Sequence, residues 1–148
     1  LLDIGVESFK LKDETMMRGL VSMRLFKKLC PKCKKKLIDN PEHPAYKRVK
    51  DAFGEIGLKQ IYIQGCGCDN CKHKGTNGRI KAGEIIITDG EFLNLALSGD
   101  TKSATRYWLE NLDGRTLKES AIELMLKGII SIDELERWVG LIDQPGIY

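Results

Sequence analysis

Cys30-Pro31-Lys32-Cys33 and, thirty-four residues further on, Cys68-Asp69-Asn70-Cys71 are the two stretches that decide how this chain is read. A two-residue gap lets both sulfurs of a pair face one point, and two such pairs supply the four thiolates of a closed tetrahedral zinc site. The surrounding turn chemistry agrees. Pro31 stiffens the first turn, and Gly65, Gly67 and Gly75 give the second the backbone freedom to wrap a metal. The spacing predicts Cys30, Cys33, Cys68 and Cys71 as ligands of one structural Zn2+ ion.

Other uses of these thiols fit less well. The chain has five cysteines, an odd number, and shows no secretory signal pattern, which argues against a disulfide framework. A thioredoxin-like redox pair calls for one C-x-x-C beside a βαβ pattern, and two pairs stand here without one. A catalytic zinc would want His or carboxylate ligands and a vacant position. Cys66 could replace Cys68, but the Cys68–Cys71 spacing matches the first pair and leaves Cys66 as the spare thiol. His43 and His73 are read as surface histidines, since the sulfurs already suffice.

The chain's 148 residues suit one domain or two small lobes, and 42% apolar content allows a real core. Net charge is +3, mild for a nucleic-acid binder. The basic residues crowd the cysteines all the same: Lys27, Lys28, Lys32 and Lys34–Lys36 before them, Lys72, Lys74, Arg79 and Lys81 after. Four thiolates on a zinc dication leave a charge of about −2, which lysines relieve locally. No apolar run reaches the roughly 20 residues of a membrane helix. Reduced thiols point to the cytoplasm. The chain opens Leu1-Leu2 without methionine, which suggests a piece of something longer.

Working outward, Asp13 is expected to cap a helix reaching Leu29, with Met17, Leu20, Val21, Leu25 and Leu29 at helical spacing and Arg24 along the same stripe. Ala45 to Ile56 reads as a helix stopped by Gly57, and Leu58 to Gln64 as a strand. A second strand is expected over Gly83 to Thr88, the two pairing into a small ribbon around the metal. Thr88 with Glu91, Thr116 with Glu119 and Ser131 with Glu134 read as capping boxes, and Asp100 as a further cap. The last helix carries Leu135, Trp138, Val139 and Ile142 as its inward stripe, before a tail frayed from Asp143. The fold class is therefore α+β: a mostly helical C-terminal lobe with a small zinc-stapled β-hairpin (tetracysteine) subdomain. The divisions fall at 1–29, 30–82 and 83–148.

There is no G-x-x-x-x-G-K-[ST] phosphate loop, and two histidines nominate no Ser/His/Asp set. No catalytic or nucleotide-binding residue is assigned, and the chain alone is not expected to hydrolyse ATP.

Several stretches together resemble the cytoplasmic assembly ATPases of type II secretion and type IV pili. Leu1 to Phe9 looks like the segment after the last conserved motifs of the P-loop fold. Met23-Arg24-Leu25-Phe26-Lys27-Lys28-Leu29-Cys30-Pro31-Lys32-Cys33 resembles the family's Gln-Arg-Leu-x-Arg-x-Leu-Cys-x-x-Cys run. Gly67-Cys68-Asp69-Asn70-Cys71, with Gly75, Gly78, Arg79 and Glu84 behind it, resembles the second half of its four-cysteine motif. Gly128-Ile129-Ile130-Ser131-Ile132-Asp133-Glu134-Leu135 is similar to its ending. Met23 stands where glutamine is usual, Lys81 where glycine is, and Cys66 is extra. No role is carried over to Arg24.

The resemblance implies the C-terminal fragment of a P-loop (RecA-like) hexameric ATPase that powers secretion or pilus assembly. ATP and Mg2+ would bind only in the parent, on motifs outside this chain. Its partners would be the other ring subunits and inner-membrane platform and linker proteins, placing it peripherally at that membrane. The competing reading is a zinc-ribbon nucleic-acid module, motivated by the lysines but short of stacking aromatics, with only Tyr46, Phe53 and Tyr62 nearby.

Overall fold

The computed structural model describes residues 7–144. The upstream tail and Gly5 turn expected near the start, and the fraying tail beyond Gln144, lie outside them. The fold is α+β, with six helices and two small two-stranded sheets among the described residues. Helix α1 is Ser8–Leu11.

The helix expected from Asp13 to Leu29 is instead a turn followed by a strand. Asp13 does open a turn, its Oδ1 accepting from the Thr15 amide at 2.8 Å and hydroxyl at 2.6 Å. These two bonds hold the Asp13 carboxyl below the usual carboxylate range. The turn then ends, and β1 (Gly19–Leu29) pairs with β4 (Thr76–Ile87). The run is apolar at so many positions that helical and alternating templates both fit it; a long β partner decides between them. Phe26 is fully buried and Leu25 exposed, the reverse of the expected helical stripe.

Between these strands, β2 (Lys35–Lys36) pairs antiparallel with β3 (Tyr62–Ile63), Lys35 opposite Ile63 and Lys36 opposite Tyr62. Helix α2 (Tyr46–Gln60) outruns its expected end at Ile56. It breaks at Gly54, whose φ of 63° and ψ of −161° leave helical space, and resumes through Gly57. The break turns Ile56 out to solvent and brings Leu58 into the core, so the strand expected over Leu58 to Gln64 shrinks to two residues.

Helices α3 (Gly90–Leu97), α4 (Thr101–Asn111), α5 (Leu117–Leu126) and α6 (Ile132–Val139) follow. Asp100 caps α4 through the Ser103 amide at 3.0 Å, and Ser131 caps α6 through the Glu134 amide at 3.1 Å. Helix α3 starts one residue later than its capping box implied, on Asp89, which accepts from the Phe92 amide at 2.8 Å. The Thr88 hydroxyl instead bonds the Met17 carbonyl. On α6, Leu135 and Val139 face inward as expected, but Trp138 is 43% exposed. Ser131→Ala should cost about 1 kcal/mol, the usual worth of such a cap, read as a lowered denaturation midpoint.

The chain divides into two compact units, Leu1–Ser22 with Gly83–Thr116 and Met23–Ala82 with Leu117–Tyr148. In the first, Met17 and Ile86 pack on Phe92, Leu93, Ala104 and Trp108. The second has the larger core, including Phe26, Leu37, Val49, Leu58, Ile61, Met125 and Leu135. That core anchors both ends of the cysteine region: Leu29 and Cys30 come three and four residues after Phe26, and Ile61 and Ile63 precede the second pair. No helix among the described residues is long and apolar enough to cross a membrane.

Candidate metal centre

The first cysteine pair follows the buried end of β1 at Leu29, and the second lies five residues beyond β3. The Leu29 amide donates to the Ile129 carbonyl and the Cys30 amide to the Gly75 carbonyl, at 2.8 and 3.0 Å, so the first turn is pinned on both sides. The second is a 3-10 turn, Asp69–Cys71, in which the Cys68 amide donates to Cys71 Sγ at 3.2 Å. Lys72 and His73 continue in left-handed backbone, at φ of 50° and 59°, bending the chain back over the sulfurs.

The turns press together so closely that side chains are excluded between them. A Cβ on Gly65 would lie 1.7 Å from the Cys33 carbonyl oxygen, and one on Gly67, already at φ +101°, 2.5 Å from the His73 carbonyl. Gly65→Ala should therefore pry the two turns apart. We expect a loss of about 1–3 kcal/mol, as for overpacking elsewhere, with weakened metal retention in a chelator competition.

Cys30, Cys33, Cys68 and Cys71 bring their sulfurs within 4.8 Å of one another, the metal-capable cluster found among the described residues. Cys30 Sγ lies 3.7 Å from Cys68 Sγ, and Cys71 Sγ lies 3.8 Å from both Cys33 Sγ and Cys68 Sγ. A tetrahedron with metal–sulfur bonds of about 2.3 Å has edges of about 3.8 Å. The donor set therefore fits a tetrathiolate zinc site in size as well as in chemistry. All five cysteines are free, and Cys66 is exposed and outside the cluster. His43 and His73 are outside it too, lying 3.4 Å from Asp133 and 3.3 Å from Asp69.

A second layer steadies the sulfurs, and the C-x-x-C spacing gives no sign of it. Asn70 Nδ2 donates to Cys30 Sγ at 3.5 Å and the Gly75 amide to Cys71 Sγ at 3.2 Å. The only signal for Asn70 in the sequence was an amide side chain inside a C-x-x-C. Its hydrogen bond, with neighbouring backbone N–H groups, holds the Cys30 thiol down to about 6. Burial and the surrounding sulfurs push Cys33 up to about 12, and burial raises Cys68. At Cys71 burial works upward, but the Cys68 and Gly75 amides together with the Cys33 and Cys68 thiols outweigh it and the thiol is lowered.

Metal uptake must displace the protons still held. At pH 7 it should release at least two per ion, from Cys33 and Cys68, whose pKa values both lie above the thiol norm of 9.0. Affinity should therefore rise with pH. Calorimetry in buffers of differing protonation enthalpy measures the count; release of less than one proton would contradict the assignment.

The basic residues near the cysteines are partly spoken for. Lys34 Nζ donates to the Gly128 carbonyl at 2.7 Å and lies 4.0 Å above the Tyr62 ring. Tyr46 and Phe53 pack against the core. The aromatics that a nucleic-acid platform would need are thus engaged internally. Arg24, to which no role was carried over, stands 5.5 Å from the Trp138 ring.

Comparison with known proteins places these features in context. The profile of the family described as "Type II/IV secretion system protein" matches residues 1–137. The type IV pilus assembly ATPase PilB of Thermus thermophilus is 26% identical over 133 residues, which is 90% of this chain and 14% of that protein. The type II secretion system ATPase E of Vibrio cholerae is 26% identical over 138 residues, 93% of this chain and 26% of its own length. The type II secretion system protein E of Klebsiella pneumoniae is 29% identical over 137 residues, with the same coverages. The chain thus spans about a quarter or less of these relatives.

Proposed function

Since the chain belongs to the type II/IV secretion system protein family, we propose that it is the zinc-binding and helical C-terminal region of a hexameric ATPase that powers type II secretion or type IV pilus assembly. The observation that carries this reading is the tetrathiolate geometry inside a chain matched along nearly its whole length. Cys30, Cys33, Cys68 and Cys71 hold one Zn2+, which supplies no chemistry beyond cross-linking the two turns. What the residues do is mechanical. The cross-link makes residues 30–82 a stiff tab on the core around Phe26 and Leu135, and the helices of 83–148 add surface for neighbouring subunits.

The nucleotide-hydrolysing motifs lie in the parent outside these residues. Other ring subunits and the inner-membrane platform and linker proteins are the partners, and the assembly sits in the cytoplasm against that membrane. The reading has a simple test. The parent should hydrolyse ATP and lose export or pilus assembly when Cys68 is replaced, whereas these 148 residues alone should show no turnover above background. Robust turnover by the isolated chain would overturn the assignment.

A further inference from the structure

Within the second unit, a cavity of about 380 Å3 lies where the end of β1, the start of β4 and the turn after α5 meet. Lys28, Lys34 and Lys127 all line it, and no carboxylate does. Apart from Asn77, the rest of the wall is glycine and apolar side chains. The glycines make room for the ammonium groups. A Cβ on Gly78 would lie 3.2 Å from Lys28 Cε, and one on Gly128 would lie 3.1 Å from Lys34 Nζ.

The chain itself does little to neutralise these three cations. Lys28 is half-buried and has no acidic partner among the described residues. Lys34 spends one of its three N–H donors on the Gly128 carbonyl, at 2.7 Å, and rests on the Tyr62 ring, which fixes it without cancelling its charge. That bond also covers a carbonyl just past the end of α5, where the helix dipole would turn an anion away. Lys127 pairs with Glu123 one helical turn back, an exposed contact of small worth. Among the described residues none of the three donates to a cysteine sulfur, whose donors are Asn70 and the Cys68 and Gly75 amides. Ammonium groups gathered on one cavity repel each other, and an anion between them turns that repulsion into attraction.

We infer that this cavity binds a phosphate group, with Lys28, Lys34 and Lys127 supplying the charge and Asn77 a neutral donor. Charge selects the group: three cations and no anion suit a phosphomonoester, at about −1.5 to −2, better than a single carboxylate. A soluble phosphoester and a lipid headgroup carry the same group, and the test below separates them. The inference does not depend on the proposed function.

Titration of the zinc-loaded chain with inorganic phosphate, followed through the amide resonances of Lys28, Gly78 and Gly128, tests it. These signals should shift together and saturate, and the affinity should fall as salt is added. Lys28→Ala and Lys127→Ala should each weaken binding about tenfold or more, the worth of one charged hydrogen bond. Lys59→Ala, on α2 and away from the cavity, should leave it unchanged. Lys127 is exposed, so its replacement reports on the site even if Lys28→Ala does not fold. Glycerol 3-phosphate and vesicles of phosphatidic acid in phosphatidylcholine then assign the source. Equal affinity per phosphate names the soluble ester, and vesicle binding at least about tenfold tighter names the headgroup, each weakened by Lys127→Ala. Equal phosphate binding by all the variants means an adventitious ion only and overturns the site. No saturation by about 10 mM phosphate overturns it too. So does a Lys28→Ala protein that loses its zinc but keeps its phosphate affinity, since the lysine then serves the thiolates.

Discussion

Cys71→Ser is expected to leave this chain with less than a tenth of the zinc of the unaltered protein after dialysis, and to lower its Tm by about 10–20 °C. Structural zinc in small sites contributes roughly 10–16 kcal/mol of apparent binding energy, comparable with the entire stability of a domain. Loss of about 5 kcal/mol, at about 2–4 °C per kcal/mol for a chain of this size, yields that shift. Cys71 is the most connected of the four, buried, with its sulfur against those of Cys33 and Cys68 and accepting the Gly75 amide. The damage should be local, with the turns melting while Phe26, Val49 and Leu135 stay packed. Cys66→Ser is the control. Its thiol is exposed and outside the cluster, so metal content and Tm should not move. Equal effects of the two substitutions would refute the ligand assignment.

The second large effect concerns β1. Phe26→Ala removes a ring that is 0% exposed and should destabilise the isolated chain by about 3–5 kcal/mol. Its neighbour Leu25 is 59% exposed, so Leu25→Ala should change stability by less than about 0.5 kcal/mol. The helical stripe drawn from the sequence asks for the reverse, with Leu25 inside. Equilibrium denaturation of the two variants therefore decides between the observed strand and that helical stripe. A Leu25 variant as damaged as the Phe26 variant would contradict the strand.

The gathering of the four cysteines was legible because the constraint is local: two residues between cysteines bring both sulfurs of a pair to one point whatever the rest of the chain does. Helix starts were legible for a similar reason, since Ser131 and Asp100 satisfy amides three residues ahead of them. Long-range partners were not. Residues 19–29 carry enough apolar side chains to satisfy two periodicities, and the choice belongs to β4, which begins nearly fifty residues later. Trp138 shows the same limit. Its position on α6 fits an inward stripe, but Arg24 and Arg137 approach the ring from β1 and α6, at 5.5 and 5.6 Å, and the indole stays at the surface. Gly57 read as a helix stop, yet the break falls at Gly54, and Gly57 is buried against Phe53. The layer behind the thiolates was equally hidden, because Asn70 gains its role only when Cys30 arrives from forty residues away.

What the four sulfurs hold is open to direct measurement. Metal analysis joined to X-ray absorption at the zinc edge, on protein purified without chelator, should find one zinc per chain with four sulfur neighbours at about 2.3 Å. Material free of zinc, a shell containing nitrogen or oxygen, or any two of Cys30, Cys33, Cys68 and Cys71 joined to each other would contradict it.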